Sequence, residues 1–259
     1  MSSWTEDLRL AQTMADAADS LTMRRFLAAD LVVETKPDLT PVSDADRAVE
    51  QAIRSLVATD RPGDAVIGEE YGAEGTSERR WVIDPIDGTK NFVRGVPVWA
   101  TLIALQQDGQ TVVGLVSAPT LGRRWWATRG GGAWTGPDFN NRRACHVSKV
   151  ATLADSFLSY SSLEGWDAIG KRESFRGLID SVWRDRAFGD FWSYMLLAEG
   201  AVDIASEPAV SLWDLAALNV IVEEAGGRFT DLAGVDRVDG GSAIATNGLL
   251  HDQVLAALG

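Results

Sequence analysis

The sequence predicts a mixed α/β fold, and three observations predict it. Apolar residues recur at helical spacing over the opening segment. Short apolar runs broken by Gly, Pro and Asp follow it, and the remainder alternates helix-like and strand-like stretches. In order, Leu8, Ala11, Met14 or Ala15, Ala18 and Leu21 mark a long amphipathic helix. Pro37 and Pro41 bracket a loop. Ser43-Asp44-Ala45-Asp46 then reads as a helix start, with Ala45, Val49, Ala52, Ile53 and Leu56 along one face. Residues 65–68, 81–84, 98–105, 111–118 and 124–128 read as strands, several of them antiparallel neighbours, and 156–160 as another. A helix closed by Gly200, a strand at 201–205 and a helix over 213–225 closed by Gly226-Gly227 come next. A strand at 242–246 and a last helix from Leu250 complete the pattern. One domain over 1–259 is expected, with halves of about 1–145 and about 146–259 packed together.

Composition narrows the function. The 259 residues carry a net charge of −13, which argues against a nucleic-acid backbone or an anionic membrane as the main partner. A hydrophobic share of 46% argues against disorder. The single cysteine, Cys145, rules out an internal disulfide framework and a Cys-rich zinc site. His146 and His251 are too few for a His-based metal cluster. Acids at the start do not fit a secretory signal, and no apolar run is long enough to span a bilayer. The expectation is a soluble, cytoplasmic protein.

The informative acids sit at the ends of apolar runs. Val66-Ile67-Gly68-Glu69-Glu70 delivers Glu69 from a buried strand, and Trp81-Val82-Ile83-Asp84-Pro85-Ile86-Asp87 delivers two Asp across a proline turn. Charges placed there need a partner, a proton or a metal. Gly88-Thr89 adds backbone amides able to meet an anion. Oxygen-only ligands point to magnesium rather than zinc. Taken singly, each acid also fits a turn or a cap.

Three motifs in order then resemble the inositol monophosphatase superfamily of magnesium-dependent, lithium-sensitive phosphomonoesterases. They are Gly68-Glu69-Glu70, the segment from Trp81 to Phe92, and Leu212-Trp213-Asp214-Leu215-Ala216-Ala217 with Glu223-Glu224-Ala225-Gly226-Gly227. Within the superfamily, the sequence as a whole, together with Phe188-Gly189-Asp190-Phe191-Trp192-Ser193, most resembles the histidinol-phosphate phosphatases of actinobacteria. The resemblance implies a layered αβαβα sandwich, a homodimer, two to three Mg²⁺ ions and a small phosphate-monoester substrate. It makes Glu69, Asp84 and the Ile86 carbonyl ligands of one ion, and Asp84, Asp87 and Asp214 ligands of a second. Gly88 and Thr89 would grip the phosphate, and Thr89 would pair with Asp46 to orient water, with Asp44 aimed at the site. Asp46 equally fits a capping box, and Asp214 a helix start. For the substrate, Glu207 matches a position that reaches the leaving group, Asp190 adds a second carboxylate, and Arg186 lies just upstream. Trp192 is the tryptophan placed to stack on a ring, while Gly130-Gly131-Gly132 reads as a turn. The expected reaction is hydrolysis of histidinol phosphate. Inositol 1-phosphate or another small sugar phosphate is the alternative substrate, a nucleotide 3′-phosphatase or fructose-1,6-bisphosphatase the third reading, and a non-catalytic relative the fourth.

Overall fold

Helix α1 (Thr5–Arg25) opens a computed structural model that describes residues 4–37 and 39–259. It buries Leu10, Ala11, Met14, Ala15 and Ala18 along one stripe, with acids in its first turn and arginines in its last. The loop bracketed by Pro37 and Pro41 connects two strands the sequence did not show, β1 (Val33–Thr35) and β2 (Pro41–Ser43), which pair as a hairpin. Pro41 is tolerated because it is the first residue of its strand. Helix α2 (Asp44–Asp60) follows directly, capped by Ser43.

The first sheet comprises β3 (Ala65–Gly68), β4 (Gly72–Glu74), β5 (Arg79–Asp87), β6 (Ala100–Gln107), β7 (Gln110–Ala118), β8 (Arg123–Thr128), β9 (Ala133–Gly136) and β10 (Arg143–Ala144), with the one-turn helix α3 (Thr89–Val93) between β5 and β6. Their spatial order is β10-β9-β8-β7-β6-β5-β3-β4, and only β3 and β5 run parallel. The expected proline turn between Asp84 and Asp87 is not a turn. Pro85 lies within β5, where the register against β6 shifts between Asp84 and Asp87. A bulge has no ladder bond to lose to a residue without an N–H, so it accommodates proline and re-aims the two acids.

The second sheet is made of β11 (Phe157–Ser159), β12 (Arg184–Arg186), β13 (Ile204–Glu207), β14 (Arg228–Thr230) and β15 (Ala243–Thr246), in the order β12-β11-β13-β15-β14. Helices α4 (Glu164–Ala168), α5 (Arg172–Ser181), α6 (Asp190–Ala198), α7 (Leu212–Glu224) and α8 (His251–Leu258) accompany it. Strand β13 starts later than the expected 201–205. The N–H groups of Ala201 and Val202 turn back to the Leu196 carbonyl and finish the helix first.

Side-chain alternation sorts these elements into five layers. Trp81, Ile83, Ile103 and Leu105 face α1 and α2, whereas Val82, Leu102 and Ala104 face α6 and α7. In the second sheet Ala205, Ala243 and Ala245 meet the same central helices, while Ile204 and Ile244 pack with residues of α4, α5 and α8. The result is the expected αβαβα sandwich. Helix α7 is buried from Leu215 through Val222, as a helix enclosed by two sheets must be. No described helix is long and apolar enough to cross a membrane.

Candidate active site

The bulge of β5 and the start of α7 meet at a cluster of acids. Carboxylate oxygens of Asp84, Asp87 and Asp214 lie within 4.8 Å of one another. Asp84 is 1% exposed, and its buried Oδ1 has no hydrogen-bond partner among the described residues. Burial, then the charges of Glu69, Asp87 and Asp214, push the Asp84 carboxyl well above its ordinary range. Desolvation and the charges of Asp190 and Asp214 do the same to Asp87. Asp214 is pushed up to about 6 by burial first, then by Glu69 and Asp190, against the Ser211 N–H that it caps at 2.7 Å. An orphaned buried oxygen among mutually repelling carboxylates fits a hard divalent cation with oxygen ligands.

Around the cluster, Asp46 is wholly buried at the third position of α2. Its Oδ2 accepts from the Ser43 N–H at 2.8 Å and the Ser43 hydroxyl at 2.6 Å. Burial raises its pKa most, Ser43 opposes this, and the Glu69 charge adds to it. The Thr89 hydroxyl lies 3.4 Å from Asp46 Oδ1 and 2.9 Å from the Ile86 carbonyl. Gly88 takes φ +84, and a Cβ there would come within 3.2 Å of the Val98 carbonyl, so only glycine fits. It leads into α3, whose first N–H groups lack intrahelical acceptors.

The second half supplies another group of acids. Glu207, 6% exposed, accepts from the Ser161 hydroxyl at 2.6 Å, and Ser161 Oγ in turn accepts from the Asp190 N–H at 3.1 Å. Burial pushes Glu207 up to about 8, with Ser161 opposing it and the charge of Asp190 adding to it. Asp190 is a non-glycine residue at φ +48, a conformation Asp tolerates better than most. The next N–H, of Phe191, donates to Asp87 Oδ2 at 2.6 Å and ties the start of α6 to the acidic cluster.

Residues 3–259 match the inositol monophosphatase family. The chain belongs to that family. Over 254 residues it is 62% identical to a histidinol-phosphatase of Mycobacterium tuberculosis (strain ATCC 25618 / H37Rv), covering 98% of each chain. It is 58% identical to a histidinol-phosphatase of Streptomyces coelicolor (strain ATCC BAA-471 / A3(2) / M145), covering 100% of this chain and 98% of that one. An inositol monophosphatase from Zymomonas mobilis superposes with a TM-score of 0.88 at 31% identity, over 100% of this chain and 99% of that one.

The residues singled out from the inositol monophosphatase resemblance do not all converge. Asp84, Asp87 and Asp214 form one group, and Asp46, Thr89 and Ile86 are linked beside it. Glu69 is close enough to perturb all three acids of the group, yet its carboxylate pairs with the Lys36 ammonium at 2.7 Å. Asp44 turns elsewhere: Arg25, at the end of α1, holds its carboxylate at 2.7 Å. Arg186 is exposed on the edge strand β12 and donates to the Asp185 carbonyl, because an edge residue pointing outward has water to reach. Trp192 is half-buried against the central core and Phe188. Lys36 and Ser161 were not anticipated. Lys36 directly follows β1, a strand the sequence did not show. Ser161 had one available signal, since it follows a strand that runs parallel to β13 and so ends at the same edge as Glu207.

Proposed function

We propose that this chain is a magnesium-dependent phosphomonoesterase that hydrolyses L-histidinol phosphate to L-histidinol and phosphate. The observation that carries the metal chemistry is the Asp84–Asp87–Asp214 group with its unpartnered buried oxygen. In favour of the substrate, the relatives named histidinol-phosphatase align with 98% and 100% of this chain, and two carboxylates, the buried Glu207 and the partly buried Asp190, lie beside the acidic group.

In this reading Asp84, Asp87, Asp214, Glu69 and the Ile86 carbonyl hold two to three Mg²⁺ ions. Bound there, magnesium supplies positive charge that lowers the pKa of water, steadies the leaving oxygen and reverses the repulsion a −13 chain exerts on a phosphate. The chain's own residues do the rest. Thr89 Oγ1 would accept a hydrogen bond from the attacking water while its own hydroxyl faces Asp46 Oδ1, so that the proton the water loses passes through Thr89 to Oδ1 while Ser43 occupies Oδ2. The Gly88 and Thr89 amides hold the phosphate oxygens at the start of α3. Asp190 and Glu207 face the ammonium and imidazole of the leaving alcohol, and a cationic substrate favours the ionised form of Glu207. No covalent phospho-enzyme is required. The same reading includes a homodimer in the cytoplasm, with neither nucleic acid nor membrane as partner.

Phosphate release from histidinol phosphate, inositol 1-phosphate and β-glycerophosphate, with Mg²⁺ and with EDTA, tests the proposal. Histidinol phosphate should have the highest kcat/KM, and EDTA should abolish turnover of all three. A preference for inositol 1-phosphate overturns the substrate, and EDTA-resistant turnover overturns the metal.

A further inference from the structure

Glu50, on α2, is wholly buried, and its two oxygens are shared out along the segment that carries Glu69. Oε2 accepts from the Glu70 N–H at 2.7 Å, and Oε1 from the Tyr71 N–H at 3.1 Å. Arg54, one helical turn on, places Nε at 2.9 Å and Nη2 at 2.8 Å from Oε1. The same guanidinium reaches Glu74 and the Gly72 carbonyl, so it clasps the far side of that segment too. Gly68 completes the fit. A Cβ at that position would sit 2.1 Å from Glu50 Oε1.

A charge is costly to bury, and an apolar side chain would fill the same space more cheaply. What Glu50 does that an apolar residue cannot is accept from two consecutive backbone N–H groups just where β3 ends. Because β3 runs parallel to β5 with Gly68 opposite Ile83, that junction sets Glu69 beside Asp84. We infer that Glu50 is a positioning residue: braced by Arg54, it fixes the backbone of residues 68–71 and so aims the Glu69 carboxylate at the metal site. The inference rests on the reading of Glu69 as a metal ligand. Partners that orient ligands from behind typically govern metal affinity by about 10–100-fold.

Glu50→Gln keeps the volume but turns one acceptor into a donor, which then opposes a backbone N–H or Arg54. Mg²⁺ affinity is read from the rise in Tm on titration with MgCl₂, and the backbone from amide hydrogen exchange in EDTA. The half-saturating Mg²⁺ should rise about tenfold, and the Glu70 and Tyr71 amides should exchange faster before any metal is added. Activity should return towards wild type at high Mg²⁺. Gly68→Ala attacks the same contact from the other side and should give the same shift. The double variant should bind no more weakly than the weaker single one, since both break one interaction. Glu69→Gln separates the ligand role of Glu69 from the positioning role of Glu50. If it leaves Mg²⁺ affinity unchanged, the ligand reading falls and the positioning role with it. If it weakens binding while Glu50→Gln and Gly68→Ala bind like wild type, the positioning role alone is overturned. Should Glu50→Gln fail to fold, Gly68→Ala decides on the same criteria.

Discussion

Asp46 and Thr89, 43 residues apart in the chain, meet with the Thr89 hydroxyl 3.4 Å from Asp46 Oδ1. The other oxygen of Asp46 closes a capping box with Ser43. The capping box therefore leaves Oδ1 free for the catalytic role proposed for this carboxylate, because each uses an oxygen of its own.

That division predicts a separation of effects. Asp46→Asn and Thr89→Ala should each lower kcat by about 10²–10⁴-fold with little change in KM. Ser43→Ala should instead cost about 1 kcal/mol of stability and leave most of kcat. Steady-state kinetics beside urea unfolding checks this. A stable Asp46→Asn protein with unchanged kcat would leave the cap as the residue's whole role.

Asp84→Asn should trade activity for apo stability. It removes one of the repelling charges around an unpartnered oxygen. In EDTA its Tm should exceed wild type by about 3 °C if the relief is about 1 kcal/mol. Turnover should fall by at least about 100-fold, and the Mg²⁺-induced rise in Tm should disappear. A thermal melt with and without MgCl₂ reads both changes.

Glu207→Gln and Asp190→Asn should discriminate between substrates. Each should lower kcat/KM for histidinol phosphate by at least about tenfold, since unpairing a desolvated charge costs about 2–5 kcal/mol. Turnover of β-glycerophosphate should barely move. Equal losses on both substrates would assign these acids to the scaffold.

His251 should make stability depend on pH. The ring is wholly buried between Thr230 Oγ1, 2.9 Å from Nε2, and Thr246 Oγ1, 3.1 Å from Nδ1. Burial, then the charge of Arg228, pushes its pKa down to about 4 from 6.5. The unfolded ring thus takes up a proton before the folded one does. Its contribution is complete above about pH 6.5 and is lost as the pH falls towards 4, by about 2 kcal/mol at pH 5. Urea midpoints at pH 7 and pH 5 should show a smaller drop for His251→Gln than for wild type.

Gly114→Ala should destabilise without touching the site. A Cβ on this β7 residue would come within 2.5 Å of Val220 Cγ1 and 2.6 Å of the Ala217 carbonyl on α7. Such overpacking costs about 1–3 kcal/mol. Urea unfolding should record that loss while the half-saturating Mg²⁺ stays at the wild-type value.

The sequence by itself determined the elements that periodicity can encode. Helix α1, the Ser43 start of α2, strands such as β3 and β7, and α7 with its closing glycines follow from local apolar spacing and turn chemistry, which act within a few residues. It also determined the acids, since Glu69, Asp84 and Asp87 end apolar runs, where a charge demands an explanation. The tertiary structure alone decided what depends on distant partners. Edge strands such as β4, β10 and β12 are too short and too polar to leave a period. Pro85 became a bulge only because β6 pairs alongside it. Asp44 turned to Arg25, Asp190 joined Glu207 through Ser161, and Glu50 took hold of the Glu70 and Tyr71 amides. Each of those outcomes depends on which elements pack together, and a hydrogen bond between residues far apart in the chain leaves no local pattern to read.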